Sequence, residues 1–132
     1  MKRIILSAVF SLGTVILSQA QHPGSAVDPA VAYYDVTMLS NSIMGKLNHD
    51  LKLTVMQQQQ VTTVVSAFLT QKENIIPLKT SNPPEYRKKQ SGLYNSLKSR
   101  LSRILLKDQM NKFLGMKPHT YTPTNTISQL FY

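Results

Sequence analysis

The sequence predicts an all-α fold, and three observations support this prediction. Apolar residues recur at spacings of three and four along most of the chain, as one face of a helix requires. Helix-start signals precede these runs at Asp28-Pro29, at Thr54 and at Asn82. No strand pattern with a pairing partner appears, so we expect no sheet. The 132 residues suffice for one small domain.

Residues 1–20 are typical of a cleaved signal peptide. Lys2-Arg3 gives a positive start, and residues 4–17 are mostly apolar. Ser18-Gln19-Ala20 places small residues where signal peptidase prefers them. The apolar stretch is shorter than the about 20 residues that span a bilayer, and no Cys follows it for lipid attachment. We therefore expect a periplasmic or secreted protein that is not a lipoprotein.

The expected mature chain is basic. Lys and Arg number 15 against 6 Asp and Glu, which gives +9, and removal of Lys2 and Arg3 leaves +7. The chain has no Cys, so no disulfide stabilises it after export. We expect apolar packing to hold the domain together, with help from a second subunit.

The first predicted helix belongs to a helical domain spanning 28–117, which follows a flexible leader at 21–27. Asp28 is the expected N-cap and Pro29 the first helical residue. The helix should end near residues 50–52. Its apolar face is formed by Val31, Tyr34, Met38, Leu39, Ile43, Leu47 and Leu51.

The second helix is predicted to start with a reciprocal capping box. The Thr54 hydroxyl can accept a hydrogen bond from the N–H three residues ahead, and Gln57 can reach back to the N–H of Thr54. This helix should run from Val55 to about Asn74 and stop before Pro77. Its apolar face is formed by Val61, Val64, Val65, Phe68 and Leu69.

The third helix is predicted to begin at Asn82-Pro83-Pro84-Glu85, with Asn82 as N-cap. Two alternatives remain open at its end: it continues past Leu106, or it breaks there and Asp108 caps a short fourth helix that ends near Gly115. Residues 118–132 are predicted to form an extended or disordered tail, whose apolar end docks on the body or serves a partner.

The residue pattern argues against an enzyme and against a bound cofactor. The three His residues are widely separated, carboxylates are few, and there is neither Cys nor a glycine-rich phosphate loop. We therefore assign no catalytic residue. We also assign no metal ligand, because His49 and Asp50 are sequence neighbours that do not face each other on a helix, and methionines at helical spacing usually fill cores.

The third helix carries the candidate binding surface. Its cations Lys89, Arg100, Arg103 and Lys107 fall within roughly 60° on a helical wheel, directly beside an apolar stripe that includes Leu93 and Leu97. Such a surface attracts partners by charge and holds varied sequences weakly, although a solvated basic face has the same pattern. Nucleic acid is not an expected partner, and an anionic membrane surface ranks below a protein partner.

Leu53-Thr54-x-x-Gln57 resembles the repeated motif of the Spy/CpxP-like periplasmic family, known as LTxxQ. A degraded second copy stands at residues 105–109, where Leu105 and Gln109 are present and Leu106 replaces Thr. The resemblance implies bent antiparallel helical hairpins that pair into a cradle-like homodimer, with a concave surface both positive and apolar.

The resemblance also implies a function in envelope stress. We expect an ATP-independent holding chaperone for unfolded or partly folded envelope proteins. The alternatives are a regulatory partner of one envelope or sensor protein and a metal-responsive sensor.

Overall fold

The computed structural model describes residues 34–132, which form an all-α domain. Helices account for 77% of these residues, and no strand occurs among them. The all-α class predicted from the sequence is thus confirmed. The six described helices are α1 Val36–Leu51, α2 Val55–Ile75, α3 Leu78–Ser81, α4 Pro83–Ile104, α5 Lys107–Gly115 and α6 Ser128–Phe131.

Helix α1 begins at an N-cap seven residues later than the expected one. The Asp35 carboxylate accepts a hydrogen bond from the Met38 N–H at 2.9 Å. The expected start at Asp28-Pro29, like the signal peptide and the leader, lies outside the described residues. Gly45, in the middle of the helix, faces open space, because a Cβ added there would meet no atom within 4 Å.

Helix α2 follows after a tight turn in which Lys52 adopts a left-handed conformation, with φ of 51°. The Gln57 N–H donates to the Thr54 hydroxyl at 3.2 Å, and the Thr54 N–H donates to Gln57 Oε1 at 3.0 Å. This is the reciprocal capping box that the sequence predicts. The helix ends at Ile75, two residues before Pro77.

Helix α4 starts and ends at residues with clear local causes. The Asn82 side chain accepts from the Glu85 N–H at 3.2 Å, and Pro83 occupies the first helical position. At the other end the helix breaks after Ile104, so the second of the two alternatives is correct. The N-cap of α5 is Leu106, however, and not Asp108.

The core lies between α2 and its neighbours. Helix α2 packs against both α1 and α4, and α5 packs against α1 and α4. The side chains at the centre are fully buried or nearly so: Ile43, Leu47, Val61, Val65, Leu69, Leu97, Leu101, Phe113 and Leu130.

The C-terminal segment, residues 118–132, departs from the expected extended or disordered tail. It ends in the short helix α6, and Ile127, Leu130 and Phe131 are buried in the core. The Phe131 ring stacks on Phe113 with 5.4 Å between centroids. The apolar residues at the end of the segment supply the burial that its Thr- and Pro-rich first half cannot.

Candidate functional site

The two motif copies meet through their glutamine side chains. Gln57 Nε2 donates to Gln109 Oε1 at 2.8 Å, and Gln109 Nε2 donates to Gln57 Oε1 at 3.1 Å. Each amide thus serves the other as donor and acceptor in a closed ring, which we call the amide pair. The pair joins residues 52 positions apart.

Each amide of the pair also binds two main-chain groups, one at the start of its own helix and one at the end of another helix. Gln57 accepts from the Thr54 N–H and donates to the Ile104 carbonyl at 3.1 Å. Gln109 accepts from the Leu106 N–H at 2.9 Å and donates to the Leu51 carbonyl at 3.1 Å. A primary amide has two lone pairs and two N–H bonds, so every hydrogen-bonding position of both side chains is used.

The amide pair explains how α5 can start although Leu106 replaces Thr in the second motif copy. Leu106 has no side-chain acceptor, so only the Gln109 half of a capping box forms at α5. The Gln109 amide nevertheless fixes the start of α5 against the end of α1 and, through Gln57, against the start of α2. Leu53 and Leu105, the first residues of the two motifs, are both 7% exposed and belong to the core.

Large apolar side chains are exposed on the solvent side of this junction. Val55 is 73% exposed, Met56 is 67% exposed and Leu106 is 69% exposed. All three lie within three residues of a glutamine of the amide pair. Exposed apolar groups that cluster in this way mark an interaction surface more often than scattered ones do.

A second candidate surface runs between α2 and α4, and we call it the α2–α4 groove. Its wider part is an open depression of about 420 Å³, and a nearly filled cleft of about 10 Å³ continues toward Arg100; Leu93 and Gln71 line both. The lining residues are Val64, Ala67, Phe68, Gln71, Asn74, Ile75, Lys89, Gly92, Leu93, Ser96, Leu97 and Arg100.

The α2–α4 groove has an apolar floor and cationic edges. Phe68 and Leu97 form the floor near Arg100, where the groove has a volume of only about 10 Å³. Lys89 lies at one end, where its amine is 3.7 Å from the Glu85 carboxylate, and Arg100 lies at the other. The arrangement offers an open apolar surface flanked by positive charge, which suits an extended chain.

The structure brings together four of the six predicted binding residues. Lys89, Leu93, Leu97 and Arg100 all line the α2–α4 groove, although Leu97 is only 2% exposed and serves as its floor. Arg103 is exposed on α4 but does not line the groove.

Lys107 does not belong to the predicted stripe of four cations. Because α4 ends at Ile104, Lys107 begins α5 and cannot continue the α4 face. The apolar stripe itself turns inward, since Leu97 and Leu101 pack in the core. The surface that is both basic and apolar is therefore narrower than the sequence predicts.

Sequence reasoning missed Lys72, which is fully buried on α2. Its amine donates to the Gln129 carbonyl at 2.5 Å and to the main-chain oxygen of Tyr132. Burial, and secondarily the positive charge of Lys79, lower the pKa of this amine from 10.5 to about 7. The sequence does indicate this burial, because Lys72 follows Val65 and Phe68 at spacings of three and four and so lies on the same face of α2.

No group of three or more His, Cys, Asp or Glu side chains that could hold a metal ion occurs within residues 34–132. His49 and Asp50 do interact, at 2.7 Å, but both are exposed to solvent. No helix in the same range is long and apolar enough to cross a membrane.

The chain matches no protein-family model, no curated protein and no solved structure. The assignment of a function therefore depends on the two surfaces described above.

Proposed function

We propose that this chain is an exported, ATP-independent holding chaperone that binds unfolded or partly folded proteins in the α2–α4 groove. One observation carries the proposal: a groove with an apolar floor has a cation at each end, Lys89 and Arg100. The mature chain's excess of positive charge supports the same reading, since it draws in acidic segments from a distance.

The groove suits weak binding of many sequences. An extended client segment can place one apolar side chain over Ile75 and Leu93, in the wider part of the groove, while its acidic residues approach the cations at the edges. The contacts are few and partly solvated, so fast exchange is expected and no nucleotide is required to release the client.

The resemblance of the two motifs to the Spy/CpxP-like family supports this proposal and extends it. We propose a periplasmic homodimer in which two copies form a cradle from their helical hairpins, with the groove facing the cavity. The amide pair supports the hairpin part of this proposal, because it holds the starts of α2 and α5 in a fixed relation within one chain.

The test compares matched charge variants of the mature protein. Lys89→Glu with Arg100→Glu reverses both edges of the groove, and Lys107→Glu with Lys112→Glu makes the same change in charge on α5. Loss of two exposed charge contacts at about 0.2–1 kcal/mol each should weaken binding of an unfolded client by the groove variant about 2- to 30-fold, and repulsion adds to this loss.

The assay is the aggregation rate of an unfolded client at low salt, with the chaperone equimolar as dimer. We expect the wild type and the α5 variant to slow aggregation and the groove variant to fail. A wild-type protein without effect would refute the chaperone function, and equal loss in both variants would refute the groove as its site.

A second candidate function is that of a regulatory partner for one envelope or sensor protein. The exposed Val55, Met56 and Leu106 at the motif junction favour it. Of the two roles left open for the apolar end of the chain, we do not propose residues 130–132 as the surface for this partner, because Leu130 and Phe131 pack in the core. Met56→Ser with Leu106→Ser should abolish capture of a single partner while client holding persists.

A further inference from the structure

A cleft of about 350 Å³ opens between α4 and the residues that follow α5, and we call it the Gln90 cleft. Its α4 wall is formed by side chains at spacings of three and four, which lie on one face of that helix. None of its residues lines the α2–α4 groove. The lining residues are Arg87, Gln90, Ser91 and Tyr94 on α4, and Lys117, Phe131 and Tyr132 on the other wall.

The Gln90 side chain is buried in this cleft without a hydrogen-bond partner. The residue is 6% exposed, and neither its amide oxygen nor its amide nitrogen bonds to any group in residues 34–132. Nearly all buried amides are paired, because an unpaired one costs the free energy of its lost hydration. Gln90 therefore favours an occupant of the cleft that both donates and accepts a hydrogen bond.

The Gln90 cleft is positively charged. Arg87 and Lys117 line it, and none of the residues that line it is acidic. Neither cation forms an ion pair with an Asp or Glu side chain in the part of the chain that the structure describes. The Lys117 amine lies 5.5 Å from the centroid of the Tyr132 ring, whose hydroxyl donates to the Pro118 carbonyl at 2.5 Å. The occupant is therefore expected to carry a negative charge.

Aromatic rings supply the apolar part of the cleft. The Tyr94 and Phe131 rings lie 5.5 Å apart between centroids, and Phe131 stacks in turn on Phe113 of the core. Rings held in this way present a rigid apolar surface, which favours contact with another aromatic or large apolar group.

We propose that the Gln90 cleft binds the carboxyl-terminal end of a peptide chain whose last side chain is aromatic. The terminal carboxylate pairs with Arg87 and Lys117, and the last side chain packs on Tyr94 and Phe131. The N–H and C=O of the preceding residue point to one side of an extended chain, so the Gln90 amide can bond to both.

This occupant is the one that meets all three requirements of the cleft. An internal chain segment has no carboxylate next to its last peptide group, and a free amino acid has no peptide group for Gln90. The proposal does not depend on client binding in the α2–α4 groove, because the two sites share no residue.

Two probes test the proposal on the mature protein by NMR titration at low salt. The first is N-acetyl-alanyl-alanyl-phenylalanine with a free carboxylate, and the second is the same peptide with a terminal carboxamide. The free acid should bind saturably and shift the side-chain amide signals of Gln90. The carboxamide should bind about tenfold more weakly, because it lacks the charge for two contacts. Equal affinity for both probes, or no saturable binding of the free acid, would overturn the proposal.

Variants then identify the residues that bind the free-acid probe. Gln90→Leu keeps the size of the side chain and should weaken binding about fivefold per hydrogen bond lost, without lowering stability in urea unfolding, since the unpaired amide is removed. Arg87→Gln should weaken binding about 2- to 5-fold. Arg103→Gln is its matched control, because Arg103 is exposed on the same helix and does not line the cleft.

The outcomes of these variants are decisive. Unchanged affinity in Gln90→Leu, or equal affinities in Arg87→Gln and Arg103→Gln, would overturn the assignment of the site. If Gln90→Leu does not fold, the two probes and the two arginine variants still decide.

Discussion

Replacement of Gln57 by alanine tests the importance of the amide pair for stability. The change removes four hydrogen bonds: one from the Thr54 N–H, one to the Ile104 carbonyl and two shared with Gln109. At about 0.5–1.5 kcal/mol net per bond, and toward the lower end because the site is half-buried, the free energy of unfolding should fall by about 2–4 kcal/mol.

A double-mutant cycle isolates the coupling between the two motifs. Gln109→Ala also removes four bonds, but the double variant removes only six different ones, because two are shared. The double variant should therefore be about 1–2 kcal/mol more stable than the sum of the single effects implies.

Urea unfolding at pH 7 measures these differences. Gln58→Ala is the matched control, since it lies in the same glutamine run and its side chain makes one hydrogen bond, to the Leu53 carbonyl. Gln58→Ala should lower the free energy of unfolding by about 1 kcal/mol. Two outcomes would refute the reasoning: a loss in Gln57→Ala no larger than in Gln58→Ala, or a cycle in which the single effects simply add.

Two further changes should stabilise the domain. Leu106→Thr restores the missing side-chain acceptor at the start of α5 and should raise the free energy of unfolding by about 1 kcal/mol; a loss of stability in urea unfolding would mean that the half-formed cap is already optimal. Gly45→Ala adds a Cβ into open space within α1 and should raise the thermal midpoint through a gain of up to about 1 kcal/mol, and a lower midpoint would contradict the open space seen there.

Features that depend on neighbouring residues were predictable from the sequence. The caps at Thr54 and Asn82 each involve atoms three residues apart, so the chain order already contains the necessary geometry. The break near Leu106 remained one of two alternatives, because leucine gives no positive signal for a helix start.

Features that depend on the packing of distant segments were not predictable. The amide pair needs Gln57 and Gln109 at one place, which only the packing of α1, α2, α4 and α5 provides. The docking of Leu130 and Phe131 also depends on the shape of the core surface that receives them, which a linear pattern cannot reveal. The groove residues were found in part, because Lys89, Leu93 and Arg100 share one helix.

The closed ring formed by Gln57 and Gln109 also bears on how this domain can be divided. Residues before α4 supply one of the two amide groups, Gln57, and residues after the start of α4 supply the other, Gln109. Neither fragment can form the ring of hydrogen bonds alone. Fragments cut at the α3–α4 boundary should therefore remain unstructured when separate and regain helicity only when mixed. The hydrogen bonds between the two motifs would then hold the two fragments together as one folded domain.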